Sequence, residues 1–453
     1  MAVAVTPLAR HSMPATRMSF LQGAFQFFTC IYVVEVILGG PGFWSTTYLH
    51  FDVRRVLFVI ICTLLLTGIV SSKAKIRLVD SVTLVLGIVA FIVWLLLIPW
   101  YHGTDQTFAI ADGTPAVSMF IATWLLLIQA RTWGPSAVPI YRRISNVAFI
   151  TATMSALAHV LLYSFLISLP ETTYPYLKVL NRIFDANESG SLYIGPMPDG
   201  STRVFWVSSL FIVFGLYCSA RKFIASKSVI SVLLAALFLA AIYVTQTRAL
   251  ILGVPAAVLM VLLLQRLVVR PGQSILGPAF FVTVLLFSLT FLLVTAASTD
   301  ITSLLGLDRG ESDNGRTLQI GPLLEAWWDN PILGSGFGSH AAMIRSDTAP
   351  FSYEMSILAL YMKVGIAGAV LSCAYFMYLA LSFVQSSESL AKRKRKFAVL
   401  FGAVYIFYFV FNTNPYLSNS VGVAIVYLCC IELAWISWDD PEAASRISRR
   451  GNS

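Results

Sequence analysis

The feature that most constrains this chain is its succession of apolar runs, each near the length a helix needs to cross a bilayer, about 20 residues. The runs fall at 20–39, 55–70, 78–99, 116–130, 145–169, 204–220, 228–246, 249–268, 275–297, 353–385, 397–412 and 420–437. They predict an all-α polytopic membrane protein with about 12 transmembrane helices, forming a single membrane domain over residues 1–453. Composition agrees: the chain is 57% hydrophobic and 12% charged, against about 45–50% and about 25% in soluble domains. The first run is long and has no clear small-residue cleavage site before Pro41, so it reads as an anchor and not as a removable leader.

Basic residues collect in cytoplasmic loops and so orient such a chain. Arg10 and Arg17 precede the first run, which places the N-terminus inside. Every second loop then agrees: Lys73, Lys75 and Arg77; Arg131, Arg142 and Arg143; Arg221, Lys222 and Lys227; Arg266 and Arg270; KRKRK at 392–396; and Arg446, Arg449 and Arg450. Asp105, Asp112, Glu171, Asp185, Asp308 and Glu311 fall in the opposite loops. Both termini are therefore expected in the cytoplasm, and the net charge of +9 is a topology signal. A nucleic-acid partner is excluded at this stage, because basic residues and aromatics do not cluster on a soluble face. All six cysteines lie within the apolar runs and read as small buried hydrophobes. The five histidines show no paired spacing with each other or with cysteine, so no metal site and no cofactor is expected.

Two outward segments, about 170–203 and about 298–352, are long enough to carry function. Within the second, GPLLEAWWDNP at 321–331 predicts a short interfacial helix, with Pro322 in its first turn and Pro331 as its stop. Its Leu323, Leu324, Trp327 and Trp328 form an apolar stripe, and tryptophans favour the membrane surface. NPILGSGFGSH follows, with glycine at 334, 336 and 338. This stretch lacks the strand, lysine and following helix of a nucleotide loop. Its glycines, Gly336 among them, can instead let backbone approach a ligand, or serve as a hinge. NTNPYLSN at 412–419 is a second polar turn, where Asn414 and Asn412 offer amides to a hydroxyl or simply shape the turn.

Three arginines stand out. Arg248 heads an apolar run in TQTRALILG, where a buried cation is costly and is usually paired or functional. Arg316 precedes the interfacial helix in NGRTLQI, and Arg345 follows the glycines in MIRSDTAP. Guanidinium suits phosphate because it is always charged and binds through two donors; the plain alternative is a snorkelling or salt-bridged residue.

The order of these residues carries a family resemblance. TRALILG, an outward GR before a helix with tryptophan, NPILGSGFGS, and an apolar run closing on VGIAG together resemble the O-antigen polymerase and ligase superfamily. The specific motifs cover about 245–370. The resemblance implies a GT-C-type membrane glycosyltransferase of the bacterial inner membrane with its active site facing the periplasm. Such an enzyme takes a glycan from an undecaprenyl diphosphate carrier and passes it to an acceptor hydroxyl. It would match Arg248 and Arg316 to the diphosphate-binding arginines. Ligases of the family open the following span with HN, eleven residues before the glycine of the closing motif; counting back from Gly365 gives Glu354 and Met355. This departure places a carboxylate where ligases carry histidine and favours a polymerase, exopolysaccharide polymerases included.

Glu354 is accordingly the candidate general base, with His340 as the second choice and a carboxylate paired to an arginine or to Lys363 as the structural alternative. Tyr353, Arg345, His340, Gly336 and Asn414 complete the expected substrate-binding set. The diphosphate is already a good leaving group, so two arginines can neutralise it without a metal, in a single inverting displacement. The expected partners are the diphosphate-linked glycan and the bilayer, with a chain-length regulator or other polysaccharide-assembly proteins. A ligase acting on lipid A core is the first alternative. A polysaccharide or lipid transporter is the second, although internal repeats and midplane charge clusters of the transporter kind are not evident.

Overall fold

The computed structural model describes residues 15–39, 53–72, 74, 76–168, 192–196, 202–247, 250–251, 310–344, 347, 349–384 and 420–438. Its helices are α1 (Ala15–Leu38), α2 (Val53–Ser71), α3 (Leu78–Phe91), α4 (Ile98–Tyr101), α5 (Gln106–Trp133), α6 (Val138–Ile167), α7 (Phe211–Ser226), α8 (Val229–Val244), α9 (Gly310–Asp329), α10 (Ser356–Val384) and α11 (Ser420–Trp438). A π-helical turn at Ile92–Leu97 joins α3 to α4, and a 3-10 turn at Gly134–Ala137 joins α5 to α6. Among the described residues, five helical runs are long and apolar enough to cross a membrane: Phe20–Leu38, Val53–Ser71, Leu78–Tyr101, Gln106–Ile167 and Ser356–Leu379. The 62-residue run holds both α5 and α6 and is divided by the Gly-Pro turn. The expected spans at 249–268, 275–297 and 397–412 lie outside the described residues.

Several boundaries differ from the sequence reading: α5 starts at Gln106 where the run was expected from 116, α6 starts at Val138 where it was expected from 145, and two further differences change the element itself. The run expected at 204–220 begins as a strand: β1 (Leu192–Pro196) pairs antiparallel with β2 (Thr202–Trp206), Ile194 opposite Val204, and helix starts only at Phe211 after a 3-10 turn. The all-α expectation is corrected to that extent. Periodicity cannot separate a short, buried apolar strand from the start of a helix. The helix expected at 321–331 is also longer. It starts at Gly310 and runs through Pro322, which is therefore interior and not in the first turn.

The main core joins α1, α2, α5, α6, α7, α8 and α11, with Phe25, Tyr32, Tyr141, Phe238 and Tyr427 among its fully buried side chains. The outer faces are apolar too: Leu78, Val79 and Val85 on α3 and Val229, Ile230 and Leu233 on α8 are exposed, as lipid-facing side chains would be. Charges inside the bundle are paired. Arg54 meets Glu35 at 3.5 Å, Arg131 meets Asp80 at 2.7 Å, and Arg221 meets Glu432 at 2.7 Å.

Contacts fix how the region of interest runs. Asp112 meets Lys363 and Thr123 meets Tyr375, so α5 and α10 are parallel. Tyr378 reaches Asp80 while Trp94 packs on Val364, so α3 is antiparallel to both. Helix α9 packs across the first half of α10, burying Leu323 with Leu358, Ala359 and Met362.

Candidate functional site

The site is organised by a break in α10. Gly365 has φ 61° and ψ −171°, far from helical values, in the middle of an otherwise regular helix. In an unbroken helix the amides of Ile366 and Ala367 would donate to the carbonyls of Met362 and Lys363. All four groups are instead met by the glycine stretch: Ser335 N–H donates to Met362 O (2.9 Å) and Gly336 N–H to Lys363 O (2.8 Å), while Ile366 N–H donates to Pro331 O and Ala367 N–H to Ile332 O (both 3.0 Å). A broken helix at membrane depth is stable only where protein satisfies the freed groups, and residues 331–336 do so.

Glycine is required because backbone meets backbone. A Cβ on Gly334 (φ 69°) would stand 2.4 Å from Lys363 O, and one on Gly365 would stand 2.3 Å from Ile332 O. The opposite side of the loop meets the π-turn. The carbonyl of Trp94 would pair with the amide of residue 99 in π geometry, but Pro99 has no N–H. Phe337 N–H takes its place (2.9 Å), and the Trp94 indole donates to Leu333 O at 2.6 Å. Gly336 (φ 86°) lies against the Pro99 ring. The glycines thus form a junction, packed against the backbone of α10, the Pro99 ring and the first turn of α5.

Next to the break lies a buried ion pair. Lys363 Nζ stands 2.7 Å from Asp112 Oδ2 and 2.9 Å from Oδ1, and it also donates to Phe351 O at 2.8 Å. Gly338 N–H donates to Asp112 Oδ2 at 2.9 Å. Lys363 is 6% exposed and Asp112 3%. Asp112, expected in an outward loop, is in the second turn of α5, whose N-terminus is capped by Asp105 accepting from Thr107 N–H. Below the pair a cavity of about 250 Å³ extends between α3, α5 and α10. Asp112, Lys363 and Tyr353 form its polar end, and Phe120, Leu360 and Leu371 belong to its apolar length.

The expected site residues divide in three. Glu354 and Tyr353 sit in the segment that leads into α10, where the structure differs from a span already begun at 353. Glu354 is half-buried; its N–H donates to Gln319 Oε1 (3.1 Å) and its carbonyl accepts from Ser356 N–H (2.9 Å). Tyr353 is buried, accepts from Ala341 N–H (2.8 Å) and donates to Met343 O (3.0 Å), so it holds 341–343 against 353. His340, in the glycine stretch beside Ala341, is exposed, its Nδ1 3.2 Å from Ala341 O. Arg316 lies in α9, one turn before Gln319, and Gly336 is in the junction. Arg248, Arg345 and Asn414 lie outside the described residues. Lys363, the structural partner considered for Glu354, is bound to Asp112 instead.

Sequence reasoning missed Asp112, Trp94 and Gln319. The one available signal was Lys363, an ionisable residue inside an apolar run, which calls for a partner; that partner is 251 positions away. Among the described residues no cluster of three metal-ligating side chains occurs.

With this geometry in place, comparison with known proteins is informative. Residues 233–373 match the O-antigen ligase family. The matched stretch runs from α8 through α9 and the glycine loop to beyond the break in α10. It supports the O-antigen ligase and polymerase superfamily, whose members are membrane glycosyltransferase-like enzymes acting on lipid-linked glycans. No curated protein and no solved structure matches the chain.

Proposed function

We propose that the protein polymerises undecaprenyl diphosphate-linked oligosaccharide repeat units into a surface polysaccharide or exopolysaccharide at the periplasmic face of the inner membrane. It is read as a GT-C-type enzyme with about 12 spans and both termini in the cytoplasm. The observation that carries the reading is the position of Glu354. A half-buried carboxylate stands immediately before α10, in the place where ligases of the family carry histidine, and its backbone is tied through Gln319 to the helix that bears Arg316.

In the proposed reaction Arg316 and Arg248 neutralise the charge that develops on the diphosphate as the glycosidic bond breaks. Glu354 accepts the proton of the attacking hydroxyl, and a single displacement inverts the anomeric centre. The carrier diphosphate departs with the bonding pair, and the acceptor hydroxyl supplies the new C–O bond. Arg345, His340, Tyr353, Gly336 and Asn414 are proposed to bind substrate around this centre. Of these, Tyr353 and Gly336 would act by shaping the backbone, because their own contacts are within the protein. The apolar length of the cavity suits the lipid part of such a substrate.

Ligation to lipid A core uses the same donor chemistry and is the second reading, and the family match is compatible with both. Reconstitution of the purified protein with the host's diphosphate-linked repeat unit separates the readings. A product ladder from the wild type, absent in Arg248→Ala, Arg316→Ala and Glu354→Gln, is the expected result. Carrier release only after a foreign acceptor is added would make it a ligase, and no carrier release under any condition would return the assignment to a transporter.

A further inference from the structure

The buried Lys363–Asp112 pair does more than close a gap in the bundle. Removing two charges from water is expensive, and apolar residues of similar volume could fill the same space without that cost. What such residues could not supply is direction. Lys363 has three donors and Asp112 only acceptors, and each spends them on a different segment. Asp112, on α5, holds Gly338 N–H of the glycine loop. Lys363, two residues before the break at Gly365, holds Phe351 O and lies 5.6 Å from the Phe351 ring. The segment from 351 to 354 is then fixed at three successive points: Phe351 O by Lys363, Tyr353 Oη by Ala341 and Met343, and Glu354 N–H by Gln319. The first of these ties it to the break and, through Asp112, to α5, where the Phe351 ring also meets that of Phe108 at 6.0 Å.

We propose that Lys363 and Asp112 are positioning residues for glycan transfer, acting through the backbone at Phe351 to set the place of Glu354 relative to the glycine loop. The proposal rests on the reading of Glu354 as the general base. It assigns the pair no contact with substrate. A change in the pair should alter the rate of the transfer step more than the affinity for the lipid-linked donor.

The test uses the full-length protein in lipid, with Lys363→Met combined with Asp112→Leu to keep the interior packed and uncharged, and Lys363→Arg as the conservative variant. Two readouts are taken: amide hydrogen exchange resolved to residues 338 and 351–355, and kcat and KM for the diphosphate-linked repeat unit. In the double variant, exchange at Gly338 and across 351–355 is expected to rise at least tenfold while α1 and α2 keep their protection. Its kcat is expected to fall at least tenfold with KM within about threefold, and Lys363→Arg to recover most of the rate. Adding Glu354→Gln to the double variant should cost less than it does alone, because the two act on one step. Unchanged exchange at 338 and 351–355, or an unchanged kcat, overturns the clamp. Faster exchange together with full activity of Glu354→Gln overturns the base assignment and the route through it, a pattern distinct from failure of the clamp.

Discussion

At the residue scale, the account turns on side chains that are small or charged for stated reasons. Gly365→Ala must adopt φ 61° and collide with Ile332 O. Strain of this kind costs about 1–3 kcal/mol before the clash is counted, and the expected outcome is a large fall in thermal unfolding temperature or failure to accumulate folded protein. Gly23→Ala, in α1 with open space around it, is the control and should stabilise by up to about 1 kcal/mol. Lys363→Met alone leaves the Asp112 carboxylate buried without its partner, a loss of about 3–5 kcal/mol, and the double replacement with Asp112→Leu should recover much of it in the same unfolding assay. Burial pushes the Tyr353 phenol above its ordinary value near 10, partly offset by the Ala341 N–H that it accepts. A raised folded value favours the neutral phenol, so its contribution to stability is complete below pH 10 and is lost as pH rises beyond it; Tyr353→Phe should flatten that alkaline decline. The sequence showed these residues unevenly. Lys363 was visible as a charge in an apolar run, whereas Asp112 in HGTDQTFAIADG looked like a loop acid because its neighbours are polar and turn-forming.

At the scale of elements, the long apolar runs were legible because hydropathy needs only length: α2 and α3 appear where the runs predicted them, while α5 and α6 begin well before theirs, through polar and turn-forming residues that hydropathy does not count. The break in α10 was not legible. A single glycine inside an apolar run most often marks close packing between helices, and nothing local to VGIAG says that residues 331–336 will complete its hydrogen bonds. The hairpin was hidden for a related reason: TRVFW runs directly into VSSLFIVFG, and continuous apolarity erased the boundary between strand and helix. The junction between the π-turn and the glycine loop makes its own prediction. Trp94→Phe removes the hydrogen bond that ties the π-turn to Leu333 O of the loop, which should lower stability by about 0.5–1.5 kcal/mol. If unfolding is monitored by exchange at Phe337 and Ile366, those amides should be deprotected together, since they belong to one junction.

At the scale of the whole molecule, the arrangement resolves why so many polar features cluster in a chain of this composition. Helices α3, α5 and α10 line an apolar cavity, Phe337 of the glycine loop and Tyr353 lie at its polar end, and Glu354 follows Tyr353 directly, its N–H held by Gln319 of α9. The family match spans α9, the glycine loop and the first part of α10; the last two contribute Phe337, Leu360 and Lys363 to the cavity lining. The central claim is that Glu354 removes the proton from the acceptor hydroxyl during transfer. The measurement that tests it most directly is single-turnover transfer from a diphosphate-linked repeat unit by the reconstituted wild type and by Glu354→Gln, with the folded fraction of each determined beforehand. Loss of a general base predicts a rate lower by about 10²–10⁴ with donor binding retained. Transfer by folded Glu354→Gln within a few fold of wild type would contradict the account.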